Sequence, residues 1–436
     1  MLIRFRVSNF LSFKDEVEFS MIPGRSRQHP HHIISGGSGR NDTDLLRAGV
    51  VYGANASGKS NLIHVLGFTK ALIMQGVKAR KSISVTPFKL DKNSLQQPSR
   101  FEFEIRCGEK DYLYGFELDS EKIYSEWLHH IKKTTTAPIF ERKVDDNKKT
   151  SIVFNNLKFE TKKDEEFLEF VARGTRTNQL FLSESIDREV TYFEDVYNWF
   201  DKLVLIYPET RHQMDLNVNN ERTKAMVKYL ERVGTGVCGF GLQSIHIEAE
   251  LPQELIDDVT KELKPDDKTV LMNHSDGQRY LISRTPQGEL ITEKFMLKHK
   301  MMDCNDGVLF DTDEESDGTI RLMDILPIVT TPDSAPMVYV IDELDRSLHP
   351  NLCYQLIEDF LAIQNNSQLI VTTHEANLLN LELLRRDEIW FVEKNKQGAT
   401  ITYSLEEFTP RYDKDVQKGY LLGRFGAIPI IGKKAF

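Results

Sequence analysis

The segment from Gly53 to Ser60, G-A-N-A-S-G-K-S, constrains the fold more than any other part of the chain. A short apolar run, Ala48–Tyr52, precedes it, and apolar residues at helical spacing follow it from Lys59 to Met74. Glycines let the backbone curl so that N–H groups point inward, and the following helix adds its positive end. The pattern G-x-x-x-x-G-K-[ST] between a strand and a helix therefore predicts a loop that binds the phosphates of a nucleotide.

The residue types in this loop indicate how the nucleotide would be held. We expect Lys59 to reach the β- and γ-phosphates of ATP, and the hydroxyl of Ser60 to ligate Mg²⁺. Asn61 follows directly and extends the run to G-K-S-N. The residues predicted to bind the nucleotide in this segment are Gly53, Asn55, Ala56, Ser57, Gly58, Lys59, Ser60 and Asn61.

Two further apolar runs end in polar residues. The run Met337–Ile341 is of the kind buried on both faces of a sheet, and Asp342 and Glu343 follow it. We expect Asp342 to hold Mg²⁺ through water and Glu343 to orient and polarise the attacking water, as general base or positioner. Strands often end in solvated acids, but the phosphate-binding loop upstream favours the catalytic interpretation. His374 follows the next run, Ser367–Thr373, and is predicted to sense the γ-phosphate.

A serine and a glycine open a predicted helix at Ser316-Asp317-Gly318. N–H groups at the start of a helix form an anion site, and Ser316 or Asp317 also suits a helix N-cap. Both interpretations can hold together. A second anion site would be useful if it completed a nucleotide site on a facing copy of the protein.

Bulk composition excludes several classes of protein. The chain has 436 residues, enough for one large domain or two ordinary ones, and its net charge of −10 argues against indiscriminate nucleic-acid binding. No apolar run approaches the roughly 20 residues that cross a bilayer, and the N-terminus alternates like a strand. We therefore predict a cytoplasmic protein without a membrane partner. The widely spaced cysteines match no zinc pattern and suit a reducing compartment; they are Cys107, Cys238, Cys304 and Cys353.

One segment, residues 122–163, is locally basic. It could form a nucleic-acid groove, but interrupting acidic residues favour a solvated surface. Its basic residues include Lys132, Lys133, Arg142, Lys143, Lys148, Lys149, Lys158, Lys162 and Lys163.

Periodicity predicts three kinds of structure along the chain. Alternation in residues 1–22 and 83–130 predicts antiparallel strands, and residues 389–393 and 399–403 predict a closing hairpin. Helical spacing predicts helices in residues 164–203 and 219–233, with one face of the first formed by Phe167, Phe170 and Val171.

The predicted fold class is α/β, a P-loop NTPase with a mixed central sheet, an antiparallel β lobe and an inserted helical lid or arm. The predicted segments are residues 1–163 for the N-terminal half of an ATPase head, 164–305 for the mainly helical insertion, and 306–436 for the C-terminal half.

The order of these motifs resembles that of ABC ATPase heads, above all the RecF, SMC and OLD-like branch that works with DNA. Asn9-Phe10-Leu11-Ser12-Phe13 resembles the N-F-x-S-F opening of that branch, and Gly53–Asn61 its G-x-N-x-[SA]-G-K-S-N loop. Asp342–Pro350 resembles its D-E…L-H-P segment, and Thr373-His374 its switch. The resemblance implies two copies that close head-to-tail on ATP, with Ser316 and Gly318 of one copy capping the nucleotide on the other.

Two features depart from the ABC pattern. Ser316-Asp317-Gly318 lacks the Leu-Ser-Gly-Gly of transporters, although the serine and one glycine remain. The Q-loop glutamine is not identifiable, and Gln75, Gln179 and the segment 207–211 are candidates.

Weaker motifs resemble a narrower group, the RloA/AbiLi-type AAA ATPases of bacterial phage-defence and abortive-infection gene pairs. The resemblance implies an ATPase that acts as a sensor or restraint for a separately encoded toxin or nuclease. Because a switch benefits from a long-lived ATP state, we also expect slow turnover. The segments that carry it are Pro87–Leu90, Leu180–Ser183, Asp311–Leu326 and Tyr420–Pro429.

Two functions remain open at this level. One is an ATP-driven switch that forms a homodimer or a higher even-numbered assembly and regulates a partner effector in anti-phage defence. Its support includes the shortness of the chain after His374, which leaves no room for the nuclease domain of OLD-like proteins. The alternative is an autonomous RecF-like DNA-binding repair ATPase, and DNA or a phage component is a further partner that the sequence leaves open. A transporter subunit is disfavoured by the motifs.

Overall fold

The computed structural model divides the chain into two compact units. The first comprises residues 1–207, 335–345 and 361–436, and the second comprises residues 208–334 and 346–360. These units cut across the three segments predicted from sequence. The structure describes residues 1–36, 43–132, 135–145, 147, 149–159, 161–210, 221–245, 256, 270–273, 278–284, 290–301, 307–330, 336–408 and 415–429.

Strands occur mostly in runs, with helices between the runs. Within the described residues the strands are β1 (Leu2–Ser8), β2 (Val17–Ser20), β3 (Ile33–Ile34), β4 (Leu45–Leu46), β5 (Ala48–Tyr52), β6 (Ser99–Cys107), β7 (Lys110–Leu118), β8 (Ile123–Ile131), β9 (Thr136–Val144), β10 (Thr150–Phe154), β11 (Val204–Ile206), β12 (Val237–Ile245), β13 (Val270–Asn273), β14 (Arg279–Arg284), β15 (Leu290–Lys300), β16 (Gly307–Phe310), β17 (Val338–Ile341), β18 (Gln368–Thr373), β19 (Ile389–Lys394) and β20 (Thr400–Ser404). The α-helices are α1 (Lys59–Gln75), α2 (Lys162–Gly174), α3 (Phe181–Asp187), α4 (Glu194–Asp201), α5 (Glu221–Arg232), α6 (Asp317–Ile325), α7 (Pro327–Thr330), α8 (Pro350–Ala362) and α9 (Val416–Leu421).

The first unit contains a six-stranded mixed sheet in the order β11-β17-β18-β5-β19-β20. Its first five strands are parallel, and β20 closes it as the antiparallel partner of β19. The central strands are buried along their whole length, which explains why they appear in the sequence as continuous apolar runs. The predicted mixed central sheet and closing hairpin are therefore confirmed.

The same unit contains the predicted antiparallel lobe, a seven-stranded sheet in the order β10-β9-β8-β7-β6-β1-β2. Alternate residues of its strands enter one large core together with α1, α3 and α4. The ring of Phe19 on β2 lies 5.0 Å from that of Trp390 on β19, so the lobe packs directly on the central sheet. This contact holds the N-terminal strands close to the strands that carry the candidate site.

Helix α2 shows where a helical pattern alone misleads. The buried face is formed by Leu168, Val171 and Ala172, whereas Phe167 and Phe170 are 46% and 70% exposed. The predicted face of Phe167, Phe170 and Val171 is therefore wrong. Both sets have the i, i+3, i+4 spacing and share Val171, so only the packing partners of the helix choose between them.

The second unit contains an antiparallel sheet in the order β12-β15-β14-β13, with β16 paired to β15. Residues 164–305 were expected to be mainly helical, and α2 to α5 match that expectation, but the strands from Val237 to Lys300 do not. The alternation in Leu290–Lys300 does not by itself establish a strand. The segment forms β15 because it pairs along its length with β12, which is distant in sequence.

Three of the four cysteines are described: Cys353 is buried, and Cys107 and Cys238 are half-buried, while Cys304 lies outside the described residues. Among the helices that the structure describes, none combines the length and the apolar character that a bilayer span requires.

Candidate nucleotide-binding site

Three of the predicted motifs meet at one edge of the six-stranded sheet. Strands β17, β18 and β5 are neighbours and run parallel. Gly53, Asp342 and His374 directly follow β5, β17 and β18, so all three stand at the carboxyl ends of adjacent strands. In open parallel sheets this edge is where ligands bind. The structure thus brings together the glycine-rich loop, the carboxylate pair and the histidine.

Backbone space explains two of the glycines in the loop. A Cβ at Gly53 would lie 2.4 Å from the carbonyl oxygen of Val392, and one at Gly58 would lie 2.4 Å from Oγ1 of Thr400. Gly58 also has φ of 113°, in the region that side chains rarely adopt. Asn55 and Ala56 are exposed at the tip of the loop, and Ala56 also has a positive φ, 61°.

Lys59 is the buried cation of the loop. Its side chain turns back so that Nζ donates to the carbonyl oxygens of Gly53, at 2.9 Å, and Ala54, at 3.3 Å. Burial lowers the pKa of Lys59 to about 8, although Asp342, Asp345 and Glu343 favour its charge. The ammonium group is therefore stabilised less than it would be in water, and an anion placed against it would restore that stabilisation.

Thr372 on β18 fixes the start of the carboxylate pair. Its hydroxyl donates to Oδ1 of Asp342 at 2.5 Å and accepts the N–H of Glu343 at 2.8 Å. Glu343 has φ of 50°, an uncommon value for a residue with a side chain. Strained backbone of this kind is concentrated at functional sites, and here the threonine holds it in place.

Asp345 fixes the backbone at His374. Its carboxylate accepts the hydroxyl of Thr373 at 2.7 Å and the backbone N–H of His374 at 3.1 Å. The His374 side chain is exposed at the surface of the site. Partial desolvation and the neighbouring charge of Lys59 lower the pKa of His374, against opposing effects of Asp345, Glu343 and Asp342, and so favour the neutral form of the ring.

A polar network behind the loop connects it to the N-terminal lobe. Asn61 donates to the hydroxyl of Ser12 at 2.7 Å, and the hydroxyls of Ser12 and Thr400 are 2.8 Å apart. Thr400 also bonds the carbonyl oxygen of Ser57 at 2.8 Å. The serine of the N-F-L-S-F run and the asparagine of G-K-S-N are thus partners, a physical reason for both motifs to occur in one chain.

The asparagine of the same run shapes its turn. Asn9 donates from Nδ2 to the carbonyl oxygens of Ser94 and Gln97, each at 2.8 Å, and accepts the N–H of Phe88 at 3.1 Å. Asn9 and Leu11 both have a positive φ, 50° and 51°. The resulting turn places Ser12 next to the loop Gly53–Ser60. Sequence reasoning missed the contributions of Thr372, Asp345 and Thr400, for which no short motif provides a signal.

In the second unit, Ser316 is the N-cap of α6: its hydroxyl accepts the N–H of Thr319 at 3.1 Å, as one of the two interpretations predicted. A Cβ at Gly318 would lie 2.7 Å from the carbonyl oxygen of Ser347, so only glycine allows this approach. Two pairs position the helix: Arg279 contacts Asp324 at 2.6 Å with both side chains fully buried, and His299 contacts Glu315 just before the cap.

The Q-loop candidates differ in their surroundings. Gln179 is buried and accepts the N–H of Val77 at 2.9 Å, a structural role, and Gln75 is exposed at the end of α1. Tyr207 stacks on His64 with ring centroids 5.4 Å apart, and burial together with Asp342 raises its pKa to about 12. Of the segment 207–211, residue 211 lies outside the described residues.

The donor set suits a magnesium–nucleotide complex. The loop presents a desolvated ammonium group and glycines that leave room for close backbone approach, and the facing strand presents two carboxylates. These are the groups that P-loop proteins use for phosphates and Mg²⁺. When bound, the nucleotide would supply the transferable γ-phosphoryl group and the metal the charge that polarises it.

Comparisons with known proteins find similar solved structures and a matching family. A search of curated proteins yields no match. Among solved structures, the chain is similar to an SMC head bound to the C-winged helix domain of ScpA, with 14% identity, TM-score 0.39, and coverage of 92% of this chain and 97% of that chain. It is also similar to the SMC head domain from Thermotoga maritima, with 12% identity, TM-score 0.36, and coverage of 92% and 98%.

A family model described as "AAA domain, putative AbiEii toxin, Type IV TA system" matches residues 50–380. The match covers more than half of the chain and includes the glycine-rich loop, Ser316–Gly318, the carboxylate pair and His374. The chain therefore belongs to this family of AAA-domain proteins.

Proposed function

We propose that this protein is an ATP-binding and ATP-hydrolysing switch of the ABC type, which closes head-to-tail with a second copy on ATP and regulates a separately encoded effector. One observation carries the ATPase part: the loop that ends in Lys59, the Asp342-Glu343 pair and His374 follow three adjacent parallel strands, and nearby acids do not fully compensate the burial of the lysine.

Each side chain has a role that its surroundings support. Lys59 would leave the carbonyl oxygens of its own loop and contact the β- and γ-phosphates. Ser60 and Asp342 would hold Mg²⁺, and Thr372 keeps the Asp342 carboxylate oriented. Glu343 would orient and polarise the attacking water. The neutral ring of His374 would contact that water or the γ-phosphate.

The second copy would complete the site through α6. Ser316 and Gly318 stand at the N-terminal end of that helix, where N–H groups and the helix dipole attract an anion. Because each copy would contribute one loop and one helix end, two equal sites would form about a two-fold axis. Loss of the γ-phosphate would then remove contacts that hold the pair together, and slow hydrolysis would set the lifetime of the closed state.

Glu343→Gln tests the chemistry and the assembly together. The amide keeps the size of the side chain but cannot accept the proton, so we expect ATP to bind normally while hydrolysis falls by roughly 10²- to 10⁴-fold. Light scattering should then show a dimer with ATP and a monomer without it. Glu382→Gln, an exposed acid outside the site, is the matched control and should behave as wild type. A size that does not respond to ATP in Glu343→Gln would contradict the switch.

The effector part draws on the family description, which includes the words "putative AbiEii toxin, Type IV TA system". The chain would supply the ATP-dependent control, and a second protein would supply the toxic activity. Copurification with the product of a neighbouring gene, released or retained according to ATP, would support this role. Phage resistance that persists unchanged in Lys59→Ala would oppose it.

A DNA-binding repair ATPase is the second candidate, and the exposed lysines of residues 122–163 favour it. Arg142 does not contribute, because it is fully buried and contacts Glu126 at 3.3 Å. Lys133 and Lys148 lie outside the described residues. DNA binding by the isolated protein that weakens steeply with salt would support this candidate over effector control. The exposed lysines are Lys132, Lys143, Lys149, Lys158, Lys162 and Lys163.

A further inference from the structure

Three histidines gather in the first unit in a segment that the proposed function does not use. They belong to the run His29-Pro30-His31-His32, in which Pro30–His32 form a single 3₁₀ turn. A ring nitrogen of each lies within 4.8 Å of those of the other two. Among the residues that the structure describes, this is the one group of three or more possible metal ligands brought so close together.

The three rings pack on one another. The rings of His29 and His32 stack with centroids 4.9 Å apart, and the ring of His31 meets that of His32 edge-on at 4.4 Å. His29 has φ of 47°, a value that histidine adopts uncommonly. The backbone is thus bent in a way that collects imidazoles, the side chains most often used as metal ligands.

Hydrogen bonds determine which nitrogens remain for a ligand. Nε2 of His29 lies 2.8 Å from the carbonyl oxygen of Leu381, which can only accept, so Nδ1 keeps its lone pair. Nδ1 of His32 lies 3.0 and 3.1 Å from the two carboxylate oxygens of Glu388. A metal-ligating histidine commonly donates its other N–H to such a carboxylate, which leaves Nε2 for the metal.

The segment that supplies Glu388 is locked to the histidine loop. Arg385 is buried, forms two hydrogen bonds with Asp387 and contacts the carbonyl oxygens of Ser26 and Gln28. These contacts fix the chain immediately before the first histidine. His32 is only 2% exposed while His31 faces solvent, so an ion could reach the cluster from the surface and be held from beneath.

Basic and acidic side chains both surround the cluster. The guanidinium groups of Arg47 and Arg385 are close enough to His32 to disfavour a cation there. Asp387 acts on His32 with the opposite sign, and Glu388 acts in the same way on Arg47. A divalent ion would therefore meet cationic and acidic side chains together.

We propose that His29, His31 and His32 form a binding site for a divalent transition metal, zinc in particular, with Glu388 positioning His32. Imidazole nitrogens suit Zn²⁺, and three protein ligands leave a fourth position for water. The ion joins the loop after β2 to the segment that leads into β19, a strand paired with the phosphate-loop strand β5. The site needs no nucleotide and stands apart from the proposed ATPase function.

Calorimetric titration of Zn²⁺ into the full chain tests the proposal. The experiment uses protein without a polyhistidine tag, from which a chelator has removed bound metal ions. Excess Mg²⁺ is present and nucleotide is absent, so that Mg²⁺ occupies the carboxylate sites. We expect one zinc ion per chain. His31→Ala removes an exposed ligand, so we expect the variant to fold. Loss of a residue that only orients a ligand lowers metal affinity by roughly 10- to 100-fold, so loss of a ligand should lower zinc affinity by at least that factor. Co²⁺ in place of Zn²⁺ should give visible absorption bands of an imidazole-ligated ion.

His130→Ala is the matched control, because it removes a histidine of β8 outside the cluster and should bind zinc as wild type does. Glu388→Gln should lose about 10- to 100-fold in zinc affinity without changing the number of ions bound. No zinc binding by the wild-type chain would overturn the proposal, and so would unchanged affinity in the double variant of His29→Ala and His31→Ala. Either result leaves the ATPase proposal untouched, since ATP is absent.

Discussion

The phosphate loop and the Ser316 helix both depend on a buried cation, but the two regions treat charge in opposite ways. In the helix region, Arg279 contacts Asp324 at 2.6 Å, and both side chains are fully buried. In the loop, Lys59 is buried against carbonyl oxygens, and its lowered pKa shows that nearby acids do not offset the cost. A neutralised charge determines position, whereas an under-neutralised one leaves an attraction for a ligand.

Removal of each cation should therefore have opposite effects on stability. Arg279→Met leaves Asp324 buried without that guanidinium group, and breaking a buried pair in this way typically costs about 3–5 kcal/mol. We expect this loss of stability to exceed that caused by any single substitution at the phosphate loop. Thermal unfolding of the nucleotide-free variant measures this loss of stability. An unfolding temperature equal to that of wild type would contradict the proposed difference between the two regions.

Arg232→Met is its control in the same unit. Arg232 pairs with Asp359, but its side chain is 53% exposed, and exposed pairs contribute about 0–1 kcal/mol. A loss as large as that of Arg279→Met would mean that burial is not the deciding factor.

Lys59→Met should have two effects of opposite sign. The charge-assisted contacts to phosphate are lost, each of about 1.5–3 kcal/mol, so affinity for a fluorescent ATP analogue should fall by roughly tenfold to hundredfold. The nucleotide-free protein should unfold at a higher temperature, because an apolar side chain avoids the cost of burying the ammonium group. Lys70 lies on the same helix and donates to the carbonyl oxygens of residues 201 and 203, so Lys70→Met should leave ATP affinity unchanged. Unchanged ATP affinity in Lys59→Met would refute the loop assignment.

The titration of Lys59 sharpens the same point. Its pKa is lowered from 10.5 to about 8 in the folded chain. Between these values the unfolded state binds more protons than the folded state, so this residue makes stability rise with pH across that window. ATP affinity should change in the opposite direction and weaken as pH rises above about 8, because the ammonium group is lost. Lys59→Arg, which stays charged, should remove both trends, and a pH-independent wild type would contradict the assignment.

The smallest expected effect concerns the network behind the loop. Thr400→Val removes a hydroxyl that bonds Ser57 and Ser12, and we expect a loss of about 1–2 kcal/mol in stability with weaker ATP binding. Thr402→Val on the same strand removes one bond to the carbonyl oxygen of Glu18 and should leave ATP affinity as it is. Equal ATP affinities in the two variants would mean that the network does not shape the loop.

Much of the candidate site was predictable because its signals are local. The strand, loop and helix around Gly53–Ser60 and the apolar strands before Asp342 and His374 occupy the predicted positions within a residue or two. The sequence did not predict which face of α2 is buried, nor the strands from Val237 to Lys300. In α2 two apolar faces share the same spacing, and β12 needs a partner strand that is distant along the chain.

By itself, the sequence determined the local elements and the chemistry of the phosphate loop, because these depend on residues a few positions apart. Tertiary structure alone decided which distant side chains meet: Thr400 bonds Ser57 across 343 positions, and His32 meets Glu388 across 356. Such pairs follow from how sheets and loops pack, and no short pattern encodes them. For the same reason, the run His29–His32 appears in the sequence as part of a loop, and only packing brings its rings together above a buried carboxylate.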